Sequence, residues 1–419
     1  MGFLFRLASR NLFRSKLRTA VSIAAIAFGV MIVVFARGLV VGMTESIYSD
    51  HIYYNSGHIK IVTPEYHVRE RLLTLDYPID GFAGEGLEEM MSALRGVDGV
   101  DMVIPRLKFG AMVSTDDELV AMSGWGIVPD YELKFTDVED YLVEGRMVQP
   151  GQREVVMGTA LLEEINKGVG DKVTILFNTA FGSLQGVTFT IVGRIETGLK
   201  LLNEVVFYLP LDEAQRLLEM EGEATELLLV TPNREKVPDV LPEVEALLAR
   251  FGAADKYVAL SYKETSDLIS IMEISEAIFD SIYIFLVLLS CIVVVNTMIM
   301  IVRERTREIG MMSALGLESR EILQLFAIEG GLMGVVGSLV GAVLGHLINS
   351  YLARVGLDYG AALSEMSADT LLNTMVHPVA SIEVAIYSFV LGVVVVTIAC
   401  FFPARRAAGL EPTEALREG

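Results

Sequence analysis

Four apolar runs, at 20–43, 278–302, 322–352 and 384–402, constrain this chain more than any other feature of its sequence. Each is long enough to cross a hydrocarbon core of about 30 Å, which takes roughly 20 helical residues. With 52% apolar residues in 419 and a mean hydropathy of +0.49, the chain has more apolar surface than ordinary soluble domains could bury. The first run follows a basic segment but exceeds a signal-peptide core and is closed by no small-x-small cleavage site, so it is expected to stay as an anchor.

Orientation follows from the Lys/Arg bias at the span ends. Residues 1–19 carry Arg6, Arg10, Arg14, Lys16 and Arg18 and no acid; Arg303, Arg305 and Arg307 follow the second run, and Arg405 and Arg406 follow the fourth. The 353–383 loop has Arg354 as its sole Lys or Arg, and acids outnumber bases in the long 44–277 segment. The expected topology is N-in and C-in, with 44–277 outside. Phe3, Leu4, Leu7, Leu12 and Phe13 alternate with Arg6, Arg10 and Arg14 at near-helical spacing, which fits either an interfacial helix in 1–19 or a plain basic flank.

Residues 44–277 read as a folded α+β domain. Strand patterns occur at 58–62, 172–176, 189–193, 227–230 and 257–260, and amphipathic helices at 86–94 and 237–250. The 114–218 stretch is richer in short strands and glycine. A strand-helix-strand unit split by an inserted β-rich subdomain accounts for that change of texture.

Several chemistries are excluded. A net charge of −21 offers no basic stripe for nucleic acid. No G-x-x-x-x-G-K-[ST] stretch provides a phosphate loop, so this chain is not expected to bind nucleotide through one, and energy has to come from a partner. His51, His58, His67, His346 and His377 lack ligand spacing, Cys291 and Cys400 lie in apolar runs, and neither a metal site nor a catalytic site is expected. Within the spans, Gly330, Gly334, Gly337, Gly341 and Gly345 recur at intervals of four or three residues, a ladder that lets another helix approach closely. Glu329 and Asn296 are polar groups in apolar runs and read equally as helix-to-helix glue or as functional groups.

After the second run comes Arg303-Glu304-Arg305-Thr306-Arg307-Glu308-Ile309-Gly310-Met311-Met312-Ser313-Ala314-Leu315-Gly316. Its charged turns, with Ile309, Met312 and Leu315 at three-residue spacing, describe a short amphipathic helix suited to another protein's groove, or a surface helix with no partner. This stretch resembles the E-R-x-x-E-I-G-x-x-x-A-x-G pattern of the FtsX-like permease family. The opening Arg10-Asn11-Leu12-Phe13-Arg14-Ser15-Lys16-Leu17-Arg18-Thr19 and the closing Pro403-Ala404-Arg405-Arg406-Ala407-Ala408 with Glu411-Pro412-Thr413-Glu414-Ala415-Leu416-Arg417 resemble the same family's two ends. In the 44–277 segment, residues 154–158, 170–173 and 209–218 look like pieces of the split periplasmic core of its lipoprotein-releasing and macrolide-exporting branches.

The resemblance implies an α-helical membrane protein with four transmembrane helices and a mixed α+β periplasmic domain, with an FtsX-like permease domain at 278–412. It implies a bacterial inner-membrane permease, not itself an enzyme, driven by a cytoplasmic ABC ATPase dimer through a 303–321 coupling segment that holds Arg303, Glu304, Arg305, Glu308, Ile309, Gly310, Met312, Leu315 and Gly316. Expected partners are a second permease copy or paralogue, a periplasmic chaperone or adaptor, and lipoprotein or other hydrophobic cargo. Mechanotransmission is the implied mechanism, and lipoprotein release is the first reading. Macrolide or peptide efflux through a tripartite pump is the second, although the ATPase usually fused in such exporters is not in this chain. A transmitter that activates a cell-wall hydrolase or a sensor is the third.

Overall fold

The computed structural model describes residues 2–12, 16–114, 119–136, 138–315, 317–359 and 375–409. Phe13, Arg14, Ser15, Gly316, the 411–417 part of the closing motif and the 360–374 part of the third loop lie outside the described residues. The chain divides into a membrane unit (Met1–Glu45, Met272–Asp358, Val376–Gly419) and a sheet unit (Ser46–Ile271, Tyr359–Met375).

Helices α1 (Gly2–Leu12), α2 (Lys16–His51), α10 (Asp267–Glu304), α11 (Thr306–Ala314), α12 (Ser319–Val355) and α13 (Ile382–Ala408) supply the membrane unit. Four of them are long and apolar enough to cross a membrane. They outrun the apolar stretches that mark them, because a helix continues into polar sequence until a cap or breaker stops it. Thus α2 runs on as a π-helical turn at Ile52–Ser56, and Pro403–Ala408, expected in a tail, completes α13. Residues Gly2–Leu12 form helix α1, whose Ala8 is buried against Leu325 of α12.

The glycine ladder serves two neighbours. A Cβ on Gly330 would come within 2.4 Å of Cys400, and one on Gly334 within 3.2 Å of Val396, both on α13. A Cβ on Gly337, Gly341 or Gly345 would instead strike Ile26, the Ala27 carbonyl or Val34 on α2. Backbones that approach this closely gain dispersion contact, which drives helix association in lipid where the hydrophobic effect does not.

In the sheet unit, β1 (Ile59–Val62) lies between β10 (Val258–Ser261) and β9 (Glu226–Val230), and β9 pairs with the first half of β2 (Met102–Ser114). Helices α4 (Leu87–Arg95) and α9 (Val237–Arg250) belong to this part; Leu87, Met90, Met91 and Leu94, and Val237, Val240, Val244 and Leu248, give each one buried stripe. From Leu107 onward β2 changes partner to β3 (Leu119–Ile127). The path continues through β8 (Val206–Pro210), β5 (Glu154–Gly158), β7 (Leu184–Ile195) and β6 (Lys172–Asn178), and β6 pairs back onto β2 at Ala111–Val113. Short β4 (Leu142–Gly145) adds to β7.

The strand-rich stretch therefore closes on itself as a six-stranded ring, filled by Phe109, Ile175, Phe177, Phe189 and Phe207, and closure leaves few bare edges. Its first strand is shared with the flanking sheet, so the boundary falls at Leu107 within β2 and not at Ser114.

Five buried charges and the half-buried Glu70 gather around β1, β9 and β2. Lys60 lies 2.5 Å from Glu70 and 2.8 Å from Glu226, Lys108 lies 2.9 Å from Glu226, and Arg106 lies 2.5 Å from Glu132. Arg106 also donates to the carbonyls of Tyr53 and Tyr54 at 2.9 and 3.0 Å, satisfying the helix end at Ile52–Ser56. Burial of Glu70 opposes ionisation, but the attraction of Lys60 and Lys108 outweighs it and holds its carboxyl below the usual range. For Lys60 burial is likewise outweighed, by Glu226 and Glu70, and its ammonium titrates above the usual lysine range.

Candidate functional site

Arg305 ends α10: its backbone leaves helical geometry (φ −103°, ψ 11°), and α11 begins at the next residue. The Arg305 side chain then fixes α11 in place. Its Nε donates to Glu308 at 3.0 Å, and a terminal nitrogen donates to Glu329 of α12 at 3.4 Å. Glu329 is buried and also accepts from Asn11 of α1 at 2.6 Å. Glu304 pairs with Arg18 of α2. These groups border a cavity of about 250 Å³ lined by Asn11, Thr19, Glu304, Arg305, Glu308 and Glu329 among others. A carboxylate buried beside an arginine and an amide is held by both, and such an arrangement resists displacement.

The apolar face of α11 divides differently from the three-residue spacing read in sequence. Ile309 is 1% exposed and Gly310 is buried, while half-buried Met312 packs on the bundle. A helix repeats every 3.6 residues, so the outward row of α11 is the four-residue series Arg307, Met311 and Leu315. Met311 is 46% exposed and Leu315 84%, with Ala314 beside them. Of the expected coupling residues, Arg303 and Leu315 are exposed, Glu304 is exposed but paired with Arg18, and Arg305, Glu308, Ile309, Gly310 and Met312 form the seat; Gly316 is outside the described residues. After it, Glu318 and Glu321 form a capping box that starts α12.

Sequence reasoning missed Asn11 and Arg18 as members of this seat, because their partners are distant in the chain. It also missed a second cluster inside the spans. Arg37 of α2 lies 2.5 Å from Asp280 of α10, and its guanidinium stacks 3.7 Å above the Tyr387 ring of α13. A lone arginine and a lone aspartate in apolar runs were the available signal, since charges in a bilayer are costly unless paired.

Among the described residues no group of three or more His, Cys, Asp and Glu is placed to hold a metal ion. His51 Nε2 lies 2.7 Å from Thr265 Oγ1, and His58 Nδ1 accepts from the Thr231 amide.

Two family descriptions match the chain: a MacB-like periplasmic core domain over residues 19–247, more than half of it, and an FtsX-like permease C-terminal region over 281–412. The lipoprotein-releasing system transmembrane protein LolC of Neisseria meningitidis serogroup B is 24% identical over 98% of this chain and 96% of its own. An uncharacterized ABC transporter permease of Methanocaldococcus jannaschii is 24% identical with the same coverage. The macrolide export ATP-binding/permease protein MacB of Nitrobacter winogradskyi is 28% identical over 63% of this chain and 38% of its own length.

Proposed function

The chain belongs to the FtsX-like permeases that carry a MacB-like periplasmic core domain, and from that premise we propose that it releases lipoproteins from a bacterial inner membrane by mechanotransmission. It is an ABC transporter permease subunit. In this reading a separate ABC ATPase dimer binds ATP and Mg, docks on α11 from the cytoplasm, and moves α11 when it closes on nucleotide. A second permease, identical or paralogous, completes the pore-less assembly, and the sheet unit shifts on the periplasmic side to hand acylated cargo to a chaperone. N-in and C-in topology is required, and the arginines at 303–307 and 405–406 support it.

The observation that carries the coupling step is the geometry of α11. Arg305 links its Glu308 to Glu329 of α12 and Ile309 is buried in the bundle core, while Met311 and Leu315 stand exposed. A helix held on one side and bare on the other can receive a push and pass it on. The lipoprotein cargo is supported by similarity along nearly the whole chain to a protein named for lipoprotein release.

The test is ATPase stimulation and lipoprotein release in proteoliposomes containing the chain and its ATPase. Met311→Glu and Leu315→Glu should each lower stimulated turnover by about tenfold, the effect of losing one central anchor of an interface, with the purified chain still monodisperse. Full stimulation in both variants would overturn the docking face. Release of macrolides and copurification of an adaptor, in place of lipoprotein release, would select the efflux reading.

A further inference from the structure

The cavity beside α11 is lined by the polar groups of the seat together with Leu12, Ile301 and Met333. At about 250 Å³ it has room for roughly eight waters, or for a small polar head on a short apolar linker. Glu304 closes the hydrocarbon-length stretch of α10, and Thr19 lies near the start of the corresponding stretch of α2, so the cavity stands at headgroup depth.

Three groups on its lining have bonding capacity left over. Glu329 is 2% exposed, and both of its hydrogen bonds, from Asn11 and Arg305, reach the same oxygen, Oε1. Its Oε2 accepts from no group among the described residues. An ionised carboxylate only accepts, so Asn11 turns its nitrogen to Glu329, which leaves the Asn11 Oδ1 as a second open acceptor. Arg305 commits Nε to Glu308 and one terminal nitrogen to Glu329, and its other terminal nitrogen donates to no described residue. A buried carboxylate with an unmet oxygen is costly, the more so within a membrane span.

A divalent cation does not suit these groups, because no three His, Cys, Asp or Glu among the described residues are placed to ligate one. Water would satisfy the polar atoms but gains nothing from Leu12, Ile301 and Met333. A primary ammonium offers three N–H groups to the two open oxygens, an ethylene linker covers apolar lining, and a phosphate two carbons away accepts from Arg305. We propose that this cavity binds a head of the phosphoethanolamine type, with the ammonium on Glu329 and Asn11 and the phosphate on Arg305. The ligand thereby bridges α1 and α12 to the α10–α11 junction. Such a head is carried by an aminophospholipid or exists as a free solute, and headgroup depth favours the lipid. The leaflet that supplies it follows from the N-in topology proposed above; the binding itself does not depend on that topology.

Native mass spectrometry of the full-length, delipidated chain in detergent tests it, with phosphatidylethanolamine, phosphatidylcholine and free O-phosphoethanolamine as the three probes. Phosphatidylethanolamine should bind about tenfold or more tightly than phosphatidylcholine, whose methylated nitrogen has no proton to donate. Glu329→Gln and Asn11→Ala should each weaken that binding by roughly 10- to 100-fold, the loss of one hydrogen bond to a charged group. Glu245→Gln, at an exposed position of α9, should leave it unchanged. Saturation by O-phosphoethanolamine with the same sensitivity to the two variants would assign the head to a solute, and a requirement for the acylated form would assign it to lipid; either supports the site. Equal affinity for the two lipids, binding unchanged in both variants, or no binding of any probe, which leaves water as the occupant, would overturn it. Melting in the same detergent shows whether each variant folds, and the unsubstituted chain's preference between the two lipids decides alone should either variant unfold. Because the assay is independent of orientation and of cargo, its failure counts against this site and leaves the permease reading standing.

Discussion

Arg106 is fully buried, and its guanidinium meets Glu132 and the carbonyls of Tyr53 and Tyr54. Arg106→Met would strand the Glu132 carboxylate and two carbonyls, and thermal unfolding of the purified chain should show a loss of about 3–5 kcal/mol. Glu70 gives a pH signature. Its carboxyl is held below the usual range, so the stability it contributes is complete above that range and lost as pH falls through its lowered value. Glu70→Gln should flatten that acid limb of the stability profile, and an unchanged limb would show that other carboxylates set it. None of this was legible in the sequence, where Lys60 sits in a strand pattern and Arg106 and Lys108 carry no motif. The sign that could have found them is that apolar residues flank them at both parities of the strand, as in Ile59-Lys60-Ile61-Val62, which marks a strand covered on both faces.

At the scale of elements, the membrane helices were legible because lipid demands a long apolar run and little else. Their ends were not, because helix propensity carries α2 and α10 well past the apolar stretch. The ladder glycines were legible as a group, but their division between α13 and α2 depends on packing. That division makes a sharp test. Gly341→Ala would place a methyl 2.4 Å from the Ala27 carbonyl, and a melting experiment in detergent should show about 1–3 kcal/mol of overpacking cost. Gly331→Ala meets only Thr397 at 3.6 Å and should be neutral or stabilising by up to about 1 kcal/mol, the helix-propensity gain. The closed strand ring stayed hidden because its closing pair, β2 with β6, joins residues far apart in the chain, and no local pattern encodes such a pairing. The same limit applied to α11: its position was readable, but which face it buries depends on α12 and α1.

For the whole molecule, the account rests on a division of labour. This chain supplies spans, a seated α11 and a folded sheet unit, and the proposed function assigns nucleotide chemistry to a separate subunit. The order of those parts was written in the apolar runs and in the arginines after the second run. The cargo was not, since nothing in the exposed residues names an acyl chain. The most direct test is photocross-linking from position 315 in intact cells, with position 309 as the inward-facing control. The account predicts a product between residue 315 and a cytoplasmic ABC ATPase, strengthened when ATP hydrolysis is blocked, and none from residue 309. A chain that yields no such product from 315, or that reacts only with periplasmic proteins there, would contradict it.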